Sequence, residues 1–317
     1  MDIVLFAYTH FGFRALEYCL DNQIPVRMVV VPKKDLDPNN PWDSVFRLSE
    51  KAKIPIFIFE DIKTDFELFR ELQEPYAFLL GFPYIISPEM IKIFMGRMIN
   101  FHGGILPSYK GCLSGVWSII NSEKYAGLSA HFINQKVDEG DIINIKKTLI
   151  KKDDTGFSLY HKIIDLALIA LQEIIDNLIK TGSVSSFPQN VSEKSMYHGR
   201  ELPNNGILHW NNTSEYIYNF TRAFFFPPFP PACCAIKGKK IFLLDVEPTD
   251  ILSDAPPGTI IKIKPAGVMV TTKDRNILIK KFTFDFKNCD FHSIGLGNID
   301  FFTPLQGTKF DEIFYEK

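Results

Sequence analysis

The sequence predicts an α/β protein: a Rossmann-like, mostly parallel sheet with helices on both faces, followed by a small β-rich (OB-like) C-terminal domain. Two observations predict the first part. Short apolar runs alternate with segments of helical period through the first 185 residues. The runs carry few polar residues, as strands buried on both faces require. A third observation predicts the second part. After a Ser-, Pro-, Asn- and Gly-rich stretch, short strands separated by turns replace the alternating pattern. The expected boundaries are 1–185 for the first domain, 186–205 for a linker and 206–317 for the second, and a chain of 317 residues is comfortable as two domains.

In order, Ile3 to Ala7 is the first strand, and Tyr8-Thr9-His10-Phe11-Gly12 turns the chain into a helix. That helix spans Phe13 to Leu20, with Ala15, Leu16, Cys19 and Leu20 at helical spacing. Val26 to Val31 is the second strand, ended by Pro32; Ser44 to Ala52 is helical and Ile54 to Phe59 is the third strand. Phe66 to Leu72 reads as helix, Tyr76 to Leu80 as strand and Pro88 to Phe94 as helix. Ala126 to Ile133 and Ile142 to Ile150 are strands on either side of a loop. Asp154-Thr155-Gly156 starts a long helix to about Ile179, its Leu159, Ile163, Leu166, Ala170, Ile174 and Leu178 recurring at helical spacing, and Thr181-Gly182-Ser183 stops it. Beyond the linker, a helix from Ser214 to Phe224 precedes Pro227-Pro228-Phe229-Pro230-Pro231. Strands then follow at Ala232–Ile236, Lys240–Val246, Thr259–Ile263, Val268–Thr272 and Ile277–Phe286.

Composition narrows the function. A formal net charge of −2 gives no overall attraction to nucleic acid or to an anionic membrane. No apolar run is long enough to span a bilayer, and the acidic residue at Asp2 argues against a secretory signal, so a cytoplasmic protein is expected. The five cysteines show no C-x-x-C pair and no metal-ligand spacing with histidine, so no metal is expected. The turn after the first strand lacks G-x-G-x-x-G, which removes the main support for a dinucleotide and hydride transfer.

The chemistry concentrates in Asn100-Phe101-His102-Gly103-Gly104-Ile105-Leu106-Pro107 and in Val137-Asp138-Glu139-Gly140-Asp141. An amide beside an imidazole suits stabilising an oxyanion and moving a proton. Asp138, 38 positions after Asn100, can orient that imidazole and hold its charge. A lone N-x-H is weak, because histidine on an apolar edge is more often structural; the carboxylate on a glycine-containing loop changes that balance. The reading is acyl transfer without a covalent enzyme intermediate.

These segments resemble the N-x-H-x-S-L-L-P-x-x-x-G and L-D-x-G-D signatures of formyltransferases that use 10-formyltetrahydrofolate. Trp117, Asn121, Gly127 and the Thr155-Gly156-Phe157-Ser158-Leu159 helix start also fit that family, and the likeness extends over the whole chain. Gly104 stands where the family has serine, Lys110 where arginine is usual, and Cys112-Leu113-Ser114 replaces an Ala-Ala-Pro-like run. The resemblance implies Asn100, His102 and Asp138 as catalytic residues and 10-formyltetrahydrofolate as formyl donor. It implies a pterin pocket from Leu80, Phe82, Tyr84, Ile85, Gln135 and Val137, much of it backbone. It implies substrate contacts from Tyr109, Lys110, Arg222, Phe224 and Phe229, the cations for a diphosphate and the phenylalanines for a base. For the aromatic residues, core packing is the competing reading.

The acceptor follows from charge. Methionyl-tRNA formylation needs basic surface, yet the loop from Pro32 to Asp43 has two lysines against three aspartates. From Glu201 onward there are 13 Lys and Arg against 13 Asp and Glu. Glycinamide ribonucleotide formyltransferases resemble only the N-terminal part. The pattern points to a sugar N-formyltransferase acting on a nucleotide-linked amino sugar, with dTDP-4-amino-4,6-dideoxyglucose for surface polysaccharide (O-antigen) as the specific expectation and a 3-amino isomer next. The alternatives are the tRNA enzyme and a non-catalytic folate or nucleotide sensor. A homodimer paired through a C-terminal strand edge is compatible with the pattern.

Overall fold

The computed structural model describes residues 2–60, 67–73, 75–190, 196–227 and 229–285. The helix start expected at Phe66, residues 191–195 of the expected linker, Pro228 and everything expected from Phe286 to 317 lie outside the described residues. The chain divides into two units. The first comprises Met1–Ser114, Ala126–Thr148 and His161–Gly199; the second comprises Gly115–Tyr125, Leu149–Tyr160 and the chain from Arg200.

In chain order the elements are β1 (Ile3–Ala7), α1 (Thr9–Asp21), β2 (Val26–Pro32), α2 (Val45–Lys51), β3 (Ile56–Phe59), α3 (Glu67–Arg70), β4 (Tyr76–Leu80), α4 (Pro88–Ile93) and β5 (Met98–His102). They continue as β6 (Tyr109–Gly111), α5 (Ser114–Ile120), β7 (Tyr125–Phe132), β8 (Ile142–Leu149), α6 (Gly156–Thr181) and β9 (Met196–His198). Then follow α7 (Ser214–Ala223), β10 (Cys233–Ile236), β11 (Lys239–Pro248), β12 (Ile260–Lys264), β13 (Gly267–Thr271) and β14 (Asn276–Thr283).

The first unit is built on a seven-stranded sheet of order β3-β2-β1-β4-β5-β7-β8. β1 pairs in parallel with β2 and β4, β2 with β3 and β4 with β5, whereas β5 and β7 are antiparallel. β1 and β4 are buried along their whole length, which is why their sequences are continuous apolar runs rather than alternating ones. On one face Val4, Phe6, Met28, Val30, Ala77 and Leu79 pack with Phe69 of α3, Met90 of α4 and Phe94. Each such fully buried aromatic contributes about 1.5–3 kcal/mol of transfer free energy. α1 covers the other face, its Gly12 so close to Ala7 that a Cβ there would stand 2.8 Å from the Ala7 backbone. Helix starts follow their local chemistry. Ser87 caps α4 by accepting from Met90 N at 3.2 Å, with Pro88 in the first turn.

One expectation bears on the domain boundary. Residues 186–205 were expected to link two domains, yet the described part up to Gly199 is folded into the first unit. Phe187 and Ile142 exchange both backbone hydrogen bonds at 2.8 and 2.9 Å, and β9 pairs in parallel with β6. A single bridge and a three-residue strand need no hydrophobic run, so composition hides them.

In the second unit, Thr155 and Ser158 cap the start of α6 reciprocally: Thr155 N donates to Ser158 Oγ at 3.0 Å and Ser158 N to Thr155 Oγ1 at 3.1 Å. β10 to β14 form an antiparallel sheet of order β10-β11-β14-β13-β12, with α7 packed on β11. Among the described residues β10 and β12 remain its edges, so the closure of an OB barrel is absent there. No helix among the described residues is long and apolar enough to cross a membrane.

Candidate active site

Asn100 and His102 lie two positions apart on β5, so the pleat directs both side chains to one face. β7 runs antiparallel beside them, placing His131 opposite Asn100 and Ser129 opposite His102. Asp138 comes from the loop between β7 and β8, at φ +53°. That left-handed conformation costs a non-glycine residue about 1–2 kcal/mol and persists only where its surroundings hold it.

The three groups converge. His102 Nδ1 is 3.5 Å from Asp138 Oδ2, with the side chains 7% and 9% exposed. Asn100 Nδ2 lies 3.4 Å from Asp138 Oδ1 and 3.2 Å from His131 Nε2. Gly111 N on β6 donates to Asp138 Oδ2 at 2.8 Å. His131 Nε2 stands 3.4 Å from Asp138 Oδ1, and its Nδ1 meets the Phe132 carbonyl at 2.8 Å.

Hydrogen-bond partners fix the tautomers. His102 Nε2 is 2.5 Å from the carbonyl of Tyr109, and a carbonyl can only accept, so Nε2 carries the hydrogen. In the neutral ring Nδ1 is then the lone-pair nitrogen, facing Asp138; in the imidazolium it donates to that carboxylate. By the same logic His131 Nδ1 donates to Phe132, leaving Nε2 to accept from the Asn100 amide. Burial pushes the His102 pKa below its ordinary value of 6.5, against the opposing pull of Asp138 and the Tyr109 carbonyl. Burial acts on Asp138 in the raising direction, but the protonated forms of His131 and His102, which prevail where the carboxyl titrates, and the Gly111 amide outweigh it and hold the carboxyl at about 2. At neutral pH the centre is a neutral imidazole beside a carboxylate.

Ser114 Oγ lies 3.4 Å from His102 Nε2, the spacing of a hydroxyl nucleophile and its base. It cannot be activated there. The Nε2 lone pair is replaced by the hydrogen given to Tyr109, and Ser114 itself donates to the same carbonyl at 3.3 Å.

The other expected site residues are placed as follows. Leu80 is buried and its carbonyl accepts from Tyr8 N at 3.2 Å. Phe82 and Tyr84 pack against Phe59 with ring centroids 5.4 and 5.1 Å away, as part of the core. Ile85 is 65% exposed, and Gln135 and Val137 are also exposed. Tyr109 is buried, with its ring 6.0 Å from His198, and reaches the centre through its carbonyl.

Three of the expected substrate residues have partners within the chain. Lys110 is 5% exposed and ion-paired, its Nζ donating to Glu139 Oε1 at 2.9 Å. Arg222 turns inward, donating to Asn219 Oδ1, Lys151 O and Asp154 O at 2.8, 3.2 and 2.6 Å. Phe224 is core, 4.7 Å from the ring of Phe220. Phe229 keeps 39% exposure, with its ring 5.8 Å from Phe226.

Sequence reasoning missed His131, Ser129 and Gln189. Ser129 Oγ bonds the Gly104 carbonyl and the Leu106 amide at 2.8 and 3.0 Å and so braces the turn after β5. A signal for two of them exists. Ser129 and His131 are alternate polar positions in an otherwise small and apolar strand, which places both on one face.

A centre with a neutral base, a buried counter-ion and an amide, but no activated nucleophile of its own, suits a transferase that passes an acyl group directly between two substrates. Comparison with known families narrows the acyl group to one carbon. Residues 3–175 match the formyl transferase model and residues 202–294 the formyl transferase C-terminal domain. The chain belongs to the formyl transferase family; it is a formyltransferase, and 10-formyltetrahydrofolate is the formyl donor.

Solved structures share the fold. An N-formyltransferase from Helicobacter canadensis, in complex with folinic acid and dTDP-3-aminofucose, matches with a TM-score of 0.72 and 22% identity over 87% of this chain and 98% of that one. The sugar 3N-formyl transferase WlaRD, in the presence of dTDP and 5-N-formyl-THF, gives 0.71 and 21% over 88% and 96%. A 4-N formyltransferase from Francisella tularensis gives 0.58 and 16% over 75% and 94%.

Proposed function

We propose that this chain formylates the amine of a nucleotide-linked amino sugar, with Asn100, His102 and Asp138 as its catalytic residues. The observation that carries the mechanism is the His102 tautomer. With Nε2–H given to Tyr109, Nδ1 is the atom that takes the proton from the attacking amine, Asp138 Oδ2 at 3.5 Å becomes the partner of the imidazolium, and the proton would pass to the donor nitrogen as its bond to the formyl carbon breaks. Asn100 supplies the oxyanion donor. Its contact to Asp138 at 3.4 Å is the weaker of its two, so that N–H is the one that turns to a developing alkoxide. His131 holds the amide by its other contact.

10-Formyltetrahydrofolate supplies an activated formyl carbonyl. The loops at 80–85 and 134–138 fit a pterin because Ile85 and Val137 present exposed apolar surface there, with Phe82 and Tyr84 stiffening the first loop and Leu80 and Gln135 adding backbone. Phe229 is the exposed aromatic that remains for a base.

The specific acceptor proposed is dTDP-4-amino-4,6-dideoxyglucose, for surface polysaccharide, in a cytoplasmic enzyme that acts as a homodimer. A 3-amino isomer is the second reading. It is favoured by the higher TM-scores, 0.72 and 0.71 against 0.58, of the two neighbours whose names refer to 3-amino sugars. Neither the 32–43 loop nor the C-terminal half is basic, which argues against tRNA.

The test is mass spectrometry of products from 10-formyltetrahydrofolate and a panel of dTDP- and UDP-linked 3-amino and 4-amino sugars. An N-formyl product from a dTDP sugar supports the proposal. Salt-dependent tRNA binding with formylation of methionyl-tRNA alone would replace it with the tRNA reading. Binding of folate with no product from any acceptor would leave a sensor.

A further inference from the structure

We infer that Gln189 is a positioning residue of this centre, its side-chain amide fixing the loop that carries Asp138. The Nε2 atom donates to the carbonyls of Asp138 and Gly140, both at 2.8 Å. Two carbonyls can only accept, so the nitrogen and not the oxygen of the amide must face them. The side chain is thereby held in one orientation by the loop it grips.

That loop needs an external clamp. Asp138 occupies a left-handed conformation, φ +53°, which aspartate tolerates better than most residues but which still depends on its surroundings. Gly140 lies so close to the end of β7 that a Cβ would overlap the Phe132 carbonyl. Gln189 spans these two residues from outside the loop.

Gln189 is anchored in turn. Phe187, two positions earlier, exchanges both backbone hydrogen bonds with Ile142, so the segment 187–189 grips residues 138, 140 and 142. Further along the chain, β9 pairs with β6, and the His198 carbonyl accepts from Cys112 N at 2.8 Å. β6 carries Gly111, whose N–H holds the Asp138 carboxylate. The segments 187–189 and 196–198 therefore both support Asp138.

The inference rests on the formyltransfer reading for its rate measurement and stands apart from it for the second. Gln189→Met keeps the length of the side chain and removes its donors. In steady-state assays kcat falls roughly tenfold to a hundredfold while the acceptor KM stays within about threefold. In the ligand-free protein, His102 is followed by NMR. It faces Asp138, His131, Ser114 and the Tyr109 carbonyl; of these Asp138 raises its pKa most, so releasing the carboxylate moves the His102 titration to lower pH. Gln189→Asn, whose amide is too short to span both carbonyls, falls between Met and wild type in both readouts. If the Met variant does not fold, the Asn variant carries both measurements. Wild-type kcat together with an unmoved His102 titration overturns the inference. A wild-type enzyme that formylates no acceptor overturns the functional reading and leaves the NMR result to decide the role of Gln189.

Discussion

Replacing Gly104 with alanine adds one methyl group at the place where His102, Tyr109 and Ser114 already meet. The new Cβ would stand 2.7 Å from His102 Nε2, 2.7 Å from Tyr109 O and 2.8 Å from Ser114 Cβ. None of these is the free end of a flexible chain. Tyr109 O is backbone, Ser114 is buried, and the ring is pinned by its 2.5 Å bond. Gly104 cannot retreat easily, since its N–H bonds the His102 carbonyl and its own carbonyl accepts from Ser129, both at 2.8 Å. The imidazole must give way. Overpacking of this kind costs about 1–3 kcal/mol of stability. Displacing a reacting group by about 1 Å costs on the order of a hundredfold in rate. Denaturant unfolding and steady-state formylation measure the two effects on one preparation. The expected variant is folded, less stable by that amount, and about a hundredfold slower at saturating substrates. Wild-type kcat in Gly104→Ala would show that the ring is not held against Tyr109, and the tautomer assignment would fall with it. The serine that the family carries at this position meets the same obstacle here, and Ser114 occupies the space instead.

Other outcomes follow from the electrostatics and the packing. Because the His102 pKa is lowered and the neutral ring is the active form, the His102 limb of kcat at saturating acceptor lies below pH 6.5; an NMR titration of His102 above 6.5 would contradict the assignment. Asp138→Asn removes the group that raises the His102 pKa, so that limb moves further to acid while kcat falls by about a hundredfold or more. Glu139→Ala strands the Lys110 ammonium in the interior, whereas Lys110→Met leaves Glu139 33% exposed and near Lys136; the first therefore lowers the melting temperature more, and equal losses would refute the asymmetry. Arg222→Ala loses bonds inside the second unit, so stability drops by about 1.5–3 kcal/mol with little change in the acceptor KM; a tenfold rise in KM would restore the diphosphate role.

What the sequence reveals and conceals has a physical pattern. β1 and β4 were legible because strands covered on both faces must be apolar throughout, and α6 because its buried face repeats at helical spacing. Asn100, His102 and Asp138 were legible because each lies in a glycine-bearing motif of fixed spacing. His131 was not, since its role depends on β7 lying antiparallel beside β5, and pairing register is not written in one strand alone. Lys110 and Arg222 illustrate a related limit. A cation in the sequence does not declare whether its partner is a ligand or, as here, Glu139 and the carbonyls of Lys151 and Asp154. The segments at 187–189 and 196–198 act mostly through backbone atoms, which every residue type possesses.

The most direct test of the centre compares formyl transfer by wild type, Asn100→Ala and His102→Ala, with the N-formyl sugar measured by mass spectrometry and the melting temperature by calorimetry. Both variants are expected to melt as wild type does within a few degrees and to lose at least about a hundredfold in rate. Folded variants that still form product at near wild-type rates would contradict the assignment of formyl transfer to this cluster.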